Sequence, residues 1–193
     1  RTVDPSAFVL DMGQNLAGFP EITVRGKKGQ KITLLVSESL TDEGACNQRQ
    51  TGRQHYYEYT LKGEGVETWH PRFSYYGFRY IQVEGAVLKG QKNTLHLPVI
   101  QKIQSCFVYN SAPKVSTFQC SNRIFNEAHR LIEKAVRSNM QSVFTDCPHR
   151  EKLGWLEQDH LCGPGLLYNY DLTGFLPQTL QNIADAQHAN GAV

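Results

Sequence analysis

The hydrophobic period of this chain changes near residue 111, and one kind of secondary structure cannot serve both halves. Before that point the text alternates. In "EITVRGKKGQKITLLVS" (21–37), Ile22 and Val24 alternate with Thr23 and Arg25, and Ile32, Leu34 and Val36 alternate with Thr33 and Leu35. A period of two with a Gly26–Gly29 turn predicts a hairpin with one buried face. "HYYEYTLKGEG" and "SYYGFRYIQVEG" read as further strands stopped by Gly63, Gly65 and Gly85. "LHLPVI" and "SCFVYN" continue the series, with Pro98 suggesting an edge position. Many short strands with glycine turns and no intervening helix predict a β-sandwich of jelly-roll type. The polar stretch "SESLTDEGACNQRQTGRQ" (37–54) interrupts the pattern, and loops of that length tend to be functional or mobile.

From Ser121 the period becomes helical. Ile124, Phe125, Ala128, Leu131, Ile132, Ala135 and Val136 share one face, with Ser121 or Asn122 as the N-cap. Gly163-Pro164-Gly165 predicts a short or interrupted helix over 156–170. A third helix is expected from about Thr173 to Asn190, with Pro177 in its first turn and Gly191 as the stop. Apolar faces this wide need other helices to cover them, and the chain contains too few. The expectation is a β-sandwich domain over 1–111, a linker over 112–120, and the opening part of a helical domain over 121–193. Left open, the helix faces would drive self-association into a homo-oligomer.

Composition narrows the partners. Hydrophobic residues make up 40% and charged residues 20%, as in ordinary globular proteins. Twenty Lys+Arg against 18 Asp+Glu leave a net charge of +2, and the lysines are scattered, so no basic face addresses nucleic acid. No apolar run could span a bilayer and no signal peptide opens the chain, so no membrane partner is expected. Both ends read as cut, which leaves the compartment unassigned. Five cysteines without a C-x-x-C pair form no disulfide or metal framework.

The chemistry concentrates in "TDCPHREKLGW" (145–155), which no helix or strand face sorts into core and solvent. One reading is a helix start, with Asp146 as cap and Pro148 in the first turn. A second is a carbohydrate site, since carboxylates bind sugar hydroxyls and an aromatic ring covers the apolar sugar face. Glycoside cleavage needs one carboxylic acid that gives its proton to the leaving oxygen. Glu151, four residues before Trp155, suits that role if the indole keeps it partly out of water. Cys147-x-His149 and His160-x-Cys162 form a symmetric ligand set, but the spacing is shorter than structural zinc patterns, and no metal is assigned. A Cys147 nucleophile activated by His149 is weaker still, because residues two apart on a turn seldom align.

Three stretches resemble the bacterial α-L-rhamnosidases. "DMGQNLAGF" (11–19) is similar to the D-F-G-Q-N-x-x-G-aromatic opening of the family's β-domain. "WHPRFSYYGFRYIQVEG" (69–85) resembles its W-x-P-R-F-x-x-x-G-F-R-Y signature, and "FTDCPHREKLGW" (144–155) its catalytic P-T-D-C-P-Q-R-(D)-E-R/K-x-G-W motif. "CSNRIFNEAHRLI" and "NYDLTGFLPQTLQNIADAQ" are similar to the flanking helices.

The resemblance implies a β-sandwich followed by the first helices of a truncated α/α toroid, and inverting removal of terminal α-L-rhamnosyl groups without metal or organic cofactor. It implies Glu151 as general acid and Asp146 as a contact to sugar hydroxyls. Trp155 would line the pocket, and Arg150 would orient the carboxylates. Where the family continues G-W-T-G-D, this chain reads "GWLEQD". Gln158 takes the place of the third carboxylate, flanked by Glu157 and Asp159 as further substrate-binding candidates. The family's general base comes from a later part of the toroid, so the 193 residues alone are expected to be inactive. A different function class stays open here: a carbohydrate-binding or structural β-sandwich module without catalysis. The loop 37–54 and Tyr56, Tyr57, Tyr75 and Tyr76 motivate it, although the tyrosines also read as sheet packing.

Overall fold

The computed structural model describes residues 7–193. Its packing divides into two units. The first runs to Val108 and takes back Pro148–Arg150; the second holds Tyr109–Cys147 and Glu151–Val193.

The first unit is built around one long strand, β1 (Phe8–Arg25). Its early residues pair antiparallel with β5 (Tyr76–Glu84), from Phe8↔Val83 to Gly18↔Tyr76. Its late residues, Ile22 to Arg25, pair with β4 (Val66–Trp69) on one edge and with β7 (Val99–Phe107) on the other. β2 (Lys31–Ser37) lies between β3 (Tyr56–Thr60) and β5, and the two-residue β6 (Val87–Leu88) closes the far edge against β7. The seven strands form one continuous sheet because β1 exchanges partners along its length. Its two ends share one core. Ile22, Val24 and Ile100 from the β4–β7 end pack in the same cluster as Ile32, Leu34, Val36, Phe78, Ile81 and Val83. Each such side chain contributes about 1.5–3 kcal/mol by leaving water.

The alternation placed these side chains correctly, but the strand pairing differs from the expected hairpin. β1 and β2 are consecutive and are not hydrogen-bonded to each other. Both edges of β1 over Ile22–Arg25 are occupied by β4 and β7, and both edges of β2 by β5 and β3. The Gly26–Gln30 turn therefore carries the chain from one part of the sheet to another, anchored by Gly29 N–H donating to Leu61 O at 2.9 Å. "LHLPVI" and "SCFVYN" likewise yield one strand, not two. Pro98 sits just before it, accepting from Val87 N–H at 2.9 Å, and β7 is an interior strand.

Asp11 and Arg79 join the first two sequence motifs across β1 and β5. Arg79 Nε and Nη2 donate to Asp11 Oδ1 and Oδ2 at 2.8 and 2.7 Å, and Gly13 N–H donates to Oδ1 at 2.8 Å. The guanidinium, and then the Gly13 amide, hold the Asp11 carboxyl down at about 2 from its ordinary 3.8. A depressed carboxyl stabilises the fold above its unfolded value and loses that contribution as pH falls through the folded one. Urea midpoints of the native protein should therefore drop between pH 4 and 2 more steeply than those of Asp11→Asn. Parallel acid limbs would show that the pair does not contribute. The pair is solvent-exposed, so the difference is small.

The second unit contains α1 (Arg123–Asn139), α2 (Leu156–Asn169) and α3 (Phe175–Ala186). Asn122 caps α1, its side chain accepting from Ile124 N–H at 2.9 Å. A small core of Met140, Phe144, Leu166, Tyr170, Leu172 and Phe175 holds the unit. The expected apolar stripe of α1 is largely open: Ile124, Phe125, Leu131 and Ile132 are 58–74% exposed. Among the described residues no helix is long and apolar enough to cross a membrane.

α2 departs from expectation, since it runs unbroken through Pro164. A mid-helix proline removes one N–H and crowds the carbonyl four residues back. Here Leu166 and Tyr170 are buried in the core beyond it, and that anchorage holds the C-terminal half in line. α3 is shorter than the predicted 173–190. At its start Thr173 turns back to Asp171, whose Oδ1 accepts from both Thr173 N–H and Oγ1–H. At its end Gln187 is extended, and Gly191 serves a later turn instead.

Candidate active site

The stretch 145–155 is a loop, not a helix start. Asp146 caps the loop itself. Its Oδ1 accepts from Leu153 N–H at 2.9 Å, and its own N–H donates to Leu153 O at 3.0 Å. Lys152 makes the return possible by adopting a left-handed backbone with φ 53°. A non-glycine residue in that region costs about 1–2 kcal/mol, so the surrounding bonds must hold it. α2 begins at Leu156, five residues beyond Glu151, after Trp155, which offers no side-chain cap. The N-cap reading of Asp146 therefore fails, because the chain reverses before any helical turn forms.

The reversal brings Asp146 and Glu151 together around Cys147. One ligand-type atom from each lies within 4.8 Å of the others. Cys147 Sγ donates to Glu151 Oε2 at 3.1 Å, and Glu151 N–H donates back to Sγ at 3.3 Å. Cys147, His149, His160 and Cys162, to which no metal is assigned, are not grouped among the described residues. His149 turns away, its Nδ1 lying 3.2 Å from Glu38 Oε2, close but not aligned for a hydrogen bond. His160 and Cys162 lie exposed on α2.

The remaining candidates divide. Glu151 is exposed and the Trp155 indole is 50% exposed, so the expected shelter of the acid beside the indole is not formed by these residues. The loop geometry explains this: Lys152 turns the chain between the two side chains. Glu157, Gln158 and Asp159 occupy the first turn of α2, where Gln158 N–H donates to Trp155 O at 3.0 Å. Of the three, Asp159 stands out. Its Oδ1 is buried without a hydrogen-bond partner among the described residues, and burial pushes its carboxyl up. A buried acceptor left unmatched is costly. Arg150 is exposed and packs in the first unit against Gly52, where an added Cβ would meet its Cγ at 3.5 Å.

Three residues outside the predicted site support the loop within the first unit. A Cβ on Gly77 would lie 2.8 Å from Pro148 Cγ and 3.0 Å from His149 Cβ, so only glycine leaves room for this approach. Asn15 Nδ2 donates to Glu38 Oε1 at 2.7 Å, which orients the carboxylate toward His149. Asn15 and Gly77 belong to the first two sequence motifs. Glu38 carried no signal of its own beyond its place in the long polar loop.

Comparison with known proteins finds relatives for both parts of the chain. Residues 1–109 match the bacterial alpha-L-rhamnosidase concanavalin-like domain, and residues 113–193 match the bacterial alpha-L-rhamnosidase 6 hairpin glycosidase domain. The chain is 33% identical over 182 residues to an alpha-L-rhamnosidase of Formosa agariphila, covering 91% of this chain and 18% of that protein. It is 34% identical over 192 residues to one from Streptomyces avermitilis, covering 97% and 18%. Among solved structures, the alpha-L-rhamnosidase from Dictyoglumus thermophilum superimposes with a TM-score of 0.83 at 33% identity, over 97% of this chain and 20% of that one. The Streptomyces avermitilis enzyme complexed with L-rhamnose gives 0.82 at 33% identity, over 96% and 18%.

Proposed function

Since this chain belongs to the bacterial α-L-rhamnosidase family, we propose that it carries the acid half of an inverting hydrolysis of terminal α-L-rhamnosyl groups. The observation that supports this reading is the Asp146–Cys147–Glu151 triangle in the second unit. Glu151 gives its proton to the glycosidic oxygen as the C–O bond breaks, so the aglycone leaves as a neutral alcohol. A water attacks the anomeric carbon from the opposite face and loses its proton to a second carboxylate. Inversion requires the two carboxyl groups roughly 6.5–9.5 Å apart. Asp146, held in place by Leu153 N–H, accepts sugar hydroxyls. Glu157, Gln158 and Asp159 on the first turn of α2 are the further substrate contacts. Trp155 presents its exposed indole to the sugar face.

The chain spans 18% of the length of the curated relatives named above. The facing base belongs to the remainder of such a protein. Two measurements test this. Proton NMR of a full-length protein acting on an aryl α-L-rhamnoside should show β-L-rhamnose as the first-formed sugar. The 193-residue chain alone should hydrolyse the same substrate at the uncatalysed rate. First-formed α-L-rhamnose, or turnover by the short chain at full-length rates, would overturn the reading.

A further inference from the structure

The geometry points to Cys147 as a positioning residue for the acid, an inference that rests on the proposed role of Glu151. The sulfur makes two contacts to that one residue. Glu151 N–H donates to Sγ at 3.3 Å, and Sγ lies 3.1 Å from Glu151 Oε2. The first contact uses the sulfur as acceptor, which leaves the S–H as the group aligned on Oε2. A thiol has one proton and weak acceptor capacity, so the two contacts are complementary rather than competing.

Two consequences follow for the reaction. With Oε2 accepting from the thiol, the transferable proton resides on Oε1, and that oxygen is the one aimed at the leaving group. Once the proton has gone, the S–H bond to the new carboxylate becomes charge-assisted and stronger. The thiol therefore favours the transition state, in which charge is building on Glu151, over the ground state. No proton leaves the sulfur at any stage. The proton travels from Glu151 Oε1 to the glycosidic oxygen, and Cys147 keeps its own.

The arrangement also explains a placement that nucleophilic attack does not account for. Cys147 is half-buried, four residues before the carboxylate it touches, in a turn closed by Asp146 and Leu153. Asp146 fixes the turn and Cys147 fixes the side chain within it.

The test is made in the full-length enzyme with two variants and two leaving groups. Cys147→Val removes the donor, and Cys147→Ser keeps an O–H donor. On a substrate with a poor alkyl leaving group, Cys147→Val should lose about tenfold in kcat with KM nearly unchanged. On a nitrophenyl rhamnoside, which needs little protonation, it should stay close to wild type. Cys147→Ser should recover most of the loss.

If Cys147→Val fails to fold, methyl methanethiosulfonate on the folded enzyme caps the thiol instead. The same selective loss should appear, reverse with dithiothreitol, and be absent in Cys147→Ser. Equal impairment by Val and Ser, or none by Val and by capping, overturns the proposal and leaves Glu151 as the acid. Glu151→Gln is measured alongside. If it turns over the alkyl substrate normally, the acid assignment itself is wrong and this proposal falls with it.

Discussion

Glu151→Gln in a full-length enzyme should bind L-rhamnose as the parent does and lose about 10²–10⁴-fold in kcat on substrates with alkyl leaving groups. The substitution is close in shape and keeps the backbone N–H that donates to Cys147 Sγ. What it removes is the transferable proton. An alkoxide is too basic to leave unaided, so the whole contribution of acid catalysis is lost with it. A nitrophenolate leaves without help, so the same variant should lose far less on a nitrophenyl rhamnoside. The contrast between substrates is the decisive readout, because a folding defect would depress both. Isothermal titration with L-rhamnose checks that the pocket survives. Full turnover of an alkyl rhamnoside by the variant would falsify the assignment.

Gly18→Ala should destabilise the first unit by about 3 kcal/mol or more. Gly18 pairs with Tyr76 on one edge of β1 and with Phe107 on the other. A Cβ there would lie 1.9 Å from the backbone oxygen of Cys106, and backbone cannot rotate away as a side chain can. Either the β1–β7 ladder opens or the strand shifts register. Register shifts turn buried residues to solvent, which here would expose Ile22 and Val24. Gly13→Ala is the control. Gly13 has φ +80° but open space around an added Cβ, so only backbone strain of about 1–2 kcal/mol is expected. Urea denaturation of both variants should rank them clearly. Equal losses would mean that the close approach at Cys106 is relieved at no cost.

These two glycines show what the sequence could and could not convey. Alternation identified Ile22, Val24, Ile32, Leu34 and Val36 as core, since side-chain period follows from strand geometry alone. It could not say which strand lies beside which. Pairing between β1 and β5 joins residues far apart in sequence, and no local pattern encodes such a partner. The same limit applies to α2. Pro164 argued for a break, and only the burial of Leu166 and Tyr170 in a distant core outweighs it.

The candidate site was legible as a motif and not as a shape. Asp146, Glu151 and Trp155 stood out by residue type. Their arrangement depends on a left-handed Lys152 that its own identity does not suggest. The thiol contact to Glu151 was hidden for the same reason, since a spacing of four residues implies proximity in a helix and nothing definite in a loop. Asn15, Glu38 and Gly77 were hidden by distance along the chain.

Strand β1 has one more consequence. Because it hydrogen-bonds in turn to β5, β4 and β7, neither end of the sheet has a spine of its own. A peel that starts at either end removes a border of the other. The first unit should therefore come apart in a single all-or-none event, with no half-sheet persisting as a stable remnant.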